Sequence, residues 1–216
     1  VTPLVVAYGV TSNFTLIARF MYKDTRSRSI LTNIVNEANG IDDFYLLSKF
    51  NVYRKNTANY VFGVAPFVAT NIPIGNNKIS DKTLNPDLGV SISLRPRFWA
   101  YDLNAKYRFY DIADQNALGL KNTFECHLSA SHQIVFDQNS SFSLSPVLET
   151  SYITQNSSNL NNNNIDFKRI LVAPGIKAIY RNFSLEALYQ HPVYQDVNNN
   201  NMEMKYNFIL GTKVMF

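Results

Sequence analysis

Glu125, His127 and Ser129 stand at positions i, i+2 and i+4 of one short segment. If this segment is a β-strand, the three side chains share one face and are about 7 Å apart from one to the next. A carboxylate, an imidazole and a hydroxyl group arranged in this way could activate the serine for attack on an ester. No further partner with suitable spacing completes such a site, so we interpret the three residues as a polar lining and keep lipid hydrolysis as a remote alternative.

Metal and cofactor chemistry have little support in the sequence. The chain has 3 histidines and 1 cysteine, Cys126, and they are scattered, so they form no metal-ligand pattern and no internal disulfide. We interpret Cys126 as a small apolar strand residue. No glycine-rich phosphate loop is present. The sequence therefore predicts no catalytic residue, no metal and no cofactor, and the net charge of +4 is too small to indicate nucleic acid.

The segments that carry these side chains alternate with a period of two. From Tyr206 to Phe216, every second residue is apolar or aromatic except Thr212, and the residues between them are mixed and polar. The same alternation occurs at residues 14–23, 99–110 and 141–152, and the apolar faces often begin and end with Phe, Tyr or Trp. No apolar run approaches the roughly 18 residues of a transmembrane helix. Alternation with aromatic ends is typical of strands that cross a membrane in a β-barrel.

About eleven strands are predicted, with short turns and long polar loops alternating between them. They cover residues 3–11, 14–23, 42–54, 60–70, 87–97, 99–110, 121–135, 141–154, 167–180, 183–192 and 203–216. The longest loops are 24–41, 71–86 and 155–166. Pro66, Pro96, Pro146 and Pro174 fall within strands, where each predicts a bulge or a bend.

The fold class predicted is all-β, a transmembrane antiparallel up-and-down β-barrel that occupies residues 1–216 as one domain. Bacterial single-chain barrels normally have an even number of strands, so we expect about twelve, with a first strand absent from this sequence. The alternative is one strand wrongly split or merged. A soluble β-sandwich is less consistent with the sequence, because sandwich strands are typically about 5–6 residues long.

Several short strings resemble a family of outer-membrane, transporter-like proteins named for the meta-pathway of phenol degradation. They are Tyr8–Thr11 before a turn, Ile72–Gly75 after a strand, and Pro192–Asn198 near the end, and Phe216 is a terminal aromatic. Ser12 and Asn199 depart from the family pattern, which has Asp and Gly at these two points. The resemblance implies an outer-membrane barrel that passes small compounds, including aromatic ones, and it implies no defined substrate.

Charged residues fall mainly on the strand face opposite Phe208 and Phe216. The basic residues predicted to line the lumen are Arg19, Lys23, Lys49, Arg95, Arg97, Lys106, Arg108, Arg169, Lys177, Lys205 and Lys213. The acidic ones are Asp102, Glu125, Glu149 and Glu186, and His127 is an additional polar member. A Lys or Arg on the lipid face would cost about 2–4 kcal/mol at mid-membrane, so this sorting supports the assignment of the faces.

Eleven basic side chains against four acidic ones predict a channel in the bacterial outer membrane that passes small solutes, in particular anions, through a basic lumen. The alternative is a closed barrel in which these charges neutralise one another and the long loops present an interaction surface. A barrel of about 12 strands lies between the filled and the open sizes. The partners expected are outer-membrane lipid and small anionic or aromatic solutes. The sequence indicates no oligomeric state.

Overall fold

The computed structural model describes residues 2–28, 35–76, 80, 84–109, 120–135, 142–157, 167–197 and 204–214. These ranges contain no helix with the length and hydropathy needed to cross a membrane. The regular elements are β1 (Thr2–Gly9), β2 (Phe14–Arg28), β3 (Val35–Ile41), β4 (Phe44–Phe50), β5 (Tyr53–Asn56), β6 (Tyr60–Ile72), β7 (Pro86–Pro96), β8 (Trp99–Arg108), β9 (Leu120–His132), β10 (Ile134–Val135), β11 (Phe142–Ser157), β12 (Phe167–Tyr180), β13 (Phe183–Val197) and β14 (Asn207–Val214).

All these strands belong to one 14-stranded antiparallel sheet. The order across the sheet is β1, β2, β4, β6, β7, β8, β9, β11, β12, β13 and β14, and the short strands β3, β5 and β10 pair with β2, β6 and β11. Sheet neighbours are thus chain neighbours, which confirms the predicted up-and-down arrangement. β1 and β14 lie at opposite ends of this order and do not pair in the part of the chain that the structure describes. The expected twelfth strand stays a prediction.

Two segments differ from the predicted elements. The predicted loop 24–41 is partly a hairpin, because β2 continues to Arg28 and pairs with β3 from Tyr22↔Ile41 to Arg28↔Val35. The mostly polar residues of this loop show no alternation that could predict a strand. Pairing between backbones does not require such alternation. The predicted strand 42–54 is instead β4 and β5, interrupted at Asn51–Val52.

The three strings behind the family resemblance stabilise turns in this structure. Thr11 Oγ1 accepts a hydrogen bond from the Phe14 amide at 3.0 Å. The Gly75 amide donates to Asp43 Oδ1 at 3.1 Å, which ties the end of β6 to the start of β4. The Gln195 side chain both accepts from the Met204 amide (3.0 Å) and donates to the Met204 carbonyl (3.1 Å).

Pro66 and Pro146 coincide with interruptions in the hydrogen-bonded ladders rather than with shifts of register. Pro66 pairs with Val90 on β7 in unbroken register, and on its other side it faces the gap between β4 and β5. Pro146 pairs with Ile176 and faces the gap between β9 and β10. Because proline has no amide proton to donate, these are the positions where its missing bond costs least. Register shifts occur at Gln155–Ser157 and at Ile170–Leu171, where Pro192 is the partner of Leu171.

One face of the sheet has buried polar side chains and the other has exposed apolar side chains, which is the reverse of the pattern in a soluble protein. Asp87 is 0% exposed and Ser151 is 5% exposed, whereas Leu128 is 52% and Leu148 51% exposed. Directly paired residues project to the same side of a sheet, so the register places these polar and apolar side chains on opposite faces. We call the polar face, which carries Asp87 and Ser151, the inner wall. Large exposed apolar surfaces mark contact with a partner or with lipid.

A small apolar cluster fills part of the inner wall on β11, β12 and β13. Val147, Ala173 and Leu188 are buried together. Gly175 lies beneath the Leu188 side chain, and a Cβ atom at that position would collide with it. This part of the wall is therefore packed by side chains.

Candidate functional site

Two rows of inner-wall residues run across β4 to β11 and bring the predicted polar side chains together. The first row is Lys49, Phe67, Gly89, Lys106 and Glu125, each paired with the next. The second row, one step along the strands, is Ser91, Asn104, His127 and Ser151. Facing residues in adjacent strands have Cβ atoms about 4.5–5.5 Å apart, so the rows form one continuous surface.

Asp87 is the centre of a buried ion pair that the sequence analysis missed. Arg108 Nε donates to Asp87 Oδ1 at 2.6 Å, and Arg108 Nη2 donates to Oδ2 at 2.8 Å. Tyr45 Oη donates to Asp87 Oδ2 at 2.9 Å, and the Arg19 guanidinium lies 4.5 Å from the Tyr45 ring centroid. Asp87 shares the odd-numbered register of Ser91 and Arg95, which is the signal that could have identified it.

Arg95 and Asp102 form a second pair on neighbouring strands. Arg95 Nη2 donates to both carboxylate oxygens of Asp102, at 2.7 and 2.8 Å, and Arg95 Nη1 donates to the Tyr101 carbonyl at 2.9 Å. Their side chains are 42% and 32% exposed, so water screens this pair much more than the Asp87 pair.

Glu125 joins Lys106 and His127 in a third group. Lys106 Nζ lies 3.0 Å and His127 Nε2 3.2 Å from Glu125 Oε2. His127 Nδ1 is 2.8 Å from Ser151 Oγ. The structure therefore brings His127 to Ser151 on β11 and not to Ser129 on its own strand.

This group contains a carboxylate, an imidazole and a hydroxyl group in contact, and its surroundings disfavour acyl transfer. Ser151 lies in unbroken ladders with His127 on β9 and Leu171 on β12. Backbone N–H groups engaged in such ladders cannot bind the oxyanion that forms during attack on an ester. Glu125 is also held by Lys106. The arrangement is better suited to fixing polar side chains along the wall.

Lys49 differs from the cations around it. Its ammonium donates to Ser91 Oγ at 2.9 Å, and the described residues provide no carboxylate within ion-pairing distance of it. The neighbouring cations Arg95, Lys106 and Arg108 each bind a carboxylate. Lys49 is thus a partly buried positive charge that forms no salt bridge with the residues the structure describes.

A cavity of about 300 Å³ opens next to Lys49 on the inner wall. Its apolar lining residues are Ile17, Leu47 and Phe67. Its polar lining residues are Tyr45, Lys49, Ser91, Asn104, Lys106 and His127. Gly89 allows Phe67 to take this position, because a Cβ atom on Gly89 would collide with the Phe67 ring. The volume is at the lower end of the range for small-molecule pockets, about 300–1,000 Å³.

Four more of the predicted lumen residues lie on β11 to β13. Lys177 and Glu186 face each other across β12 and β13. Glu149 faces Ser129 on one side and Ala173 on the other. The Arg169 guanidinium lies 4.7 Å from the Phe167 ring centroid. These residues share the face of the inner wall and lie outside the cavity, and their place in a lumen stays a prediction.

The last three predicted residues lie near the short turns or on β14. Lys213 faces Ser184 and so keeps the inner-wall register, while Lys205 is exposed just before β14. Arg97 is a correction to the predicted list, since it occupies the turn between β7 and β8 with φ of 42° and its guanidinium lies 5.0 Å from the Phe98 ring centroid. A residue in a turn does not follow the alternation of a strand, so sorting by a period of two assigned Arg97 to the wrong place.

The charge count also changes. Asp87, and Asp42, whose carboxylate lies 2.8 Å from Lys23 Nζ, each bind a basic residue that the sequence analysis counted as unopposed. These two residues raise the acidic side chains from four to six against eleven basic ones, so part of the predicted basic excess is neutralised locally.

The sheet and its inverted faces define the fold class of the chain as an antiparallel, up-and-down β-barrel. A solved structure with this fold is the COG4313 outer membrane channel from Pseudomonas putida F1, with a TM-score of 0.64 and 17% sequence identity; the match covers 99% of this chain and 82% of that one. No protein-family model and no curated protein matches the chain. The resemblance to the phenol meta-pathway family therefore stays a prediction.

Proposed function

We propose that this chain is a bacterial outer-membrane β-barrel channel that passes small solutes, and that residues 1–216 form a single barrel domain. The observation that carries the proposal is the inversion of its faces, with Asp87 and Ser151 buried and Leu128 and Leu148 exposed. Apolar side chains directed outward suit hydrocarbon, and polar ones directed inward suit a water-containing lumen. The fold shared with a solved outer membrane channel supports the same function.

The proposed lumen favours small anions over cations. Arg95, Lys106 and Arg108 are paired with carboxylates, so the preference depends on cations such as Lys49 and Arg19, for which the described residues provide no carboxylate. Positively charged side chains lower the electrostatic barrier for anions in a pore. We therefore expect weak to moderate anion selectivity rather than strict exclusion of cations.

Planar-bilayer recording of the full chain tests this function. We expect discrete conductance steps and a reversal potential displaced toward that of chloride when KCl is unequal on the two sides. Insertion is checked independently by protease protection in the same lipid. A fully inserted protein without current above that of protein-free bilayers contradicts the channel, and a reversal potential displaced toward that of potassium contradicts the basic lumen.

A second candidate is a closed barrel whose loops present an interaction surface. The pairs Arg108–Asp87, Arg95–Asp102 and Lys106–Glu125 favour it, because neutralised side chains can pack across a small barrel. The loops concerned, 24–41 and 155–166, lie mostly outside the residues with described side chains. Absence of conductance together with a partner that binds the wild type and is lost on shortening loop 155–166 would favour this candidate.

A further inference from the structure

We propose that the cavity beside Lys49 binds a small organic monocarboxylate, so that the wall holds a solute site and does not merely line a passage. The inference rests on the proposed function, since it names the class of solute that the channel would select. It is carried by the position of Lys49, a cation without a salt bridge to any described residue, among polar and apolar side chains that line one cavity.

The charges around the cavity favour a ligand that carries a single negative charge. Lys49 Nζ donates only to the neutral Ser91 hydroxyl, at 2.9 Å, among the described residues. Lys106, the other lysine of the cavity, is 3.0 Å from Glu125. A partly buried charge gains most from an opposite charge with hydrogen bonds to it. Among the lysines that line the cavity in the described part of the chain, Lys49 alone lacks a salt bridge, which matches a monoanion better than a dianion.

The polar neighbours of Lys49 suit the two oxygens of a carboxylate. Ser91 and Asn104 face each other on β7 and β8, and both border the cavity with Lys49. An ammonium, a hydroxyl and an amide group provide several hydrogen-bond donors on one side of the cavity. Bidentate recognition of a carboxylate needs donors grouped in this way.

The apolar residues that line the cavity suit a hydrocarbon chain. Ile17 faces Leu47 across β2 and β4, and Phe67 faces Lys49 across β4 and β6. The 300 Å³ available exceeds what a bare inorganic anion needs, and burial of CH₂ groups against these side chains is favourable. A short-chain carboxylate is the class of ligand that fits both the polar and the apolar residues of the lining.

Hexanoate is a suitable probe, and hexanamide is its uncharged counterpart. We expect the detergent-purified full chain to bind hexanoate and not hexanamide in isothermal titration calorimetry. Lys49→Met should weaken hexanoate binding about tenfold or more, because it removes a charged hydrogen bond. Lys49→Arg, which keeps the charge, should restore most of the affinity, and circular dichroism checks that the Lys49→Met barrel is folded.

Lys55→Met is the matched control, since Lys55 is an exposed lysine on β5 outside the cavity. It should bind hexanoate as the wild type does. Equal affinity of Lys49→Met and wild type, equal loss in Lys55→Met, or equal binding of hexanamide would overturn the site. If any of these occurs while the bilayer conductance persists, the channel function stands without the site. If binding depends on Lys49 and no conductance occurs, the site stands and the channel function fails.

Discussion

The guanidinium of Arg108 donates two hydrogen bonds to the carboxylate of Asp87, at 2.6 and 2.8 Å, in a position where Asp87 has no exposure to solvent. Tyr45 donates a third hydrogen bond to the same carboxylate. The three side chains come from β4, β7 and β8. A bidentate pair of this kind fixes the register between strands as well as neutralising a buried charge.

Removal of the Asp87 charge should destabilise the barrel strongly. Asp87→Asn takes the carboxylate from Arg108 and Tyr45, and breaking a buried pair costs about 3–5 kcal/mol. Urea unfolding in lipid, followed by the fluorescence of Trp99, the 1 tryptophan of the chain, measures the change. Asp102→Asn is the control, because its pair with Arg95 is partly exposed and should contribute about 0–1 kcal/mol. Equal losses in the two variants would contradict the difference in burial.

A side chain at position 89 should displace Phe67 from the cavity. Gly89→Ala places a Cβ atom against the Phe67 ring and the Ala105 carbonyl oxygen, and overpacking of this kind costs about 1–3 kcal/mol. Gly211→Ala meets no atom within 4 Å and should leave the unfolding free energy nearly unchanged or slightly increased. In a Phe67→Ala background, Gly89→Ala should cost less than in the wild type. Strict additivity of the two substitutions would show that the ring and the glycine are not coupled.

The contact of Glu125, His127 and Ser151 should confer no hydrolase activity. We expect the purified protein to hydrolyse p-nitrophenyl esters and phospholipids no faster than the empty detergent micelle, with Ser129→Ala and Ser151→Ala equal to the wild type. The reason is that the backbone around Ser151 is engaged in ladders on both sides. Hydrolysis by the wild type that Ser151→Ala abolishes would instead assign an enzyme to this fold.

The architecture was predictable from the alternation along the strands, whereas the side-chain contacts were not predictable from the sequence. The phase of alternation around Phe208 and Leu210 depends only on residue type, so sequence alone indicated which face is apolar. The partner of His127 depends on the register between β9 and β11, which sequence does not specify, so Ser129 was considered in place of Ser151. Asp87 was overlooked because it stands at the predicted end of a strand. The β2–β3 hairpin extension was missed because its residues are mostly polar and show no alternation of period two.

The inward and outward assignment of alternate residues is most directly tested on β11. Single cysteines at positions 147–152, in a Cys126→Ala background and labelled with a fluorophore, report lipid contact through doxyl-lipid quenching and water contact through iodide quenching. We predict that lipid quenches the labels at Leu148, Thr150 and Tyr152 and that iodide is more effective at Glu149 and Ser151. Quenching without alternation, or with the opposite phase, would contradict a barrel with its polar wall inside.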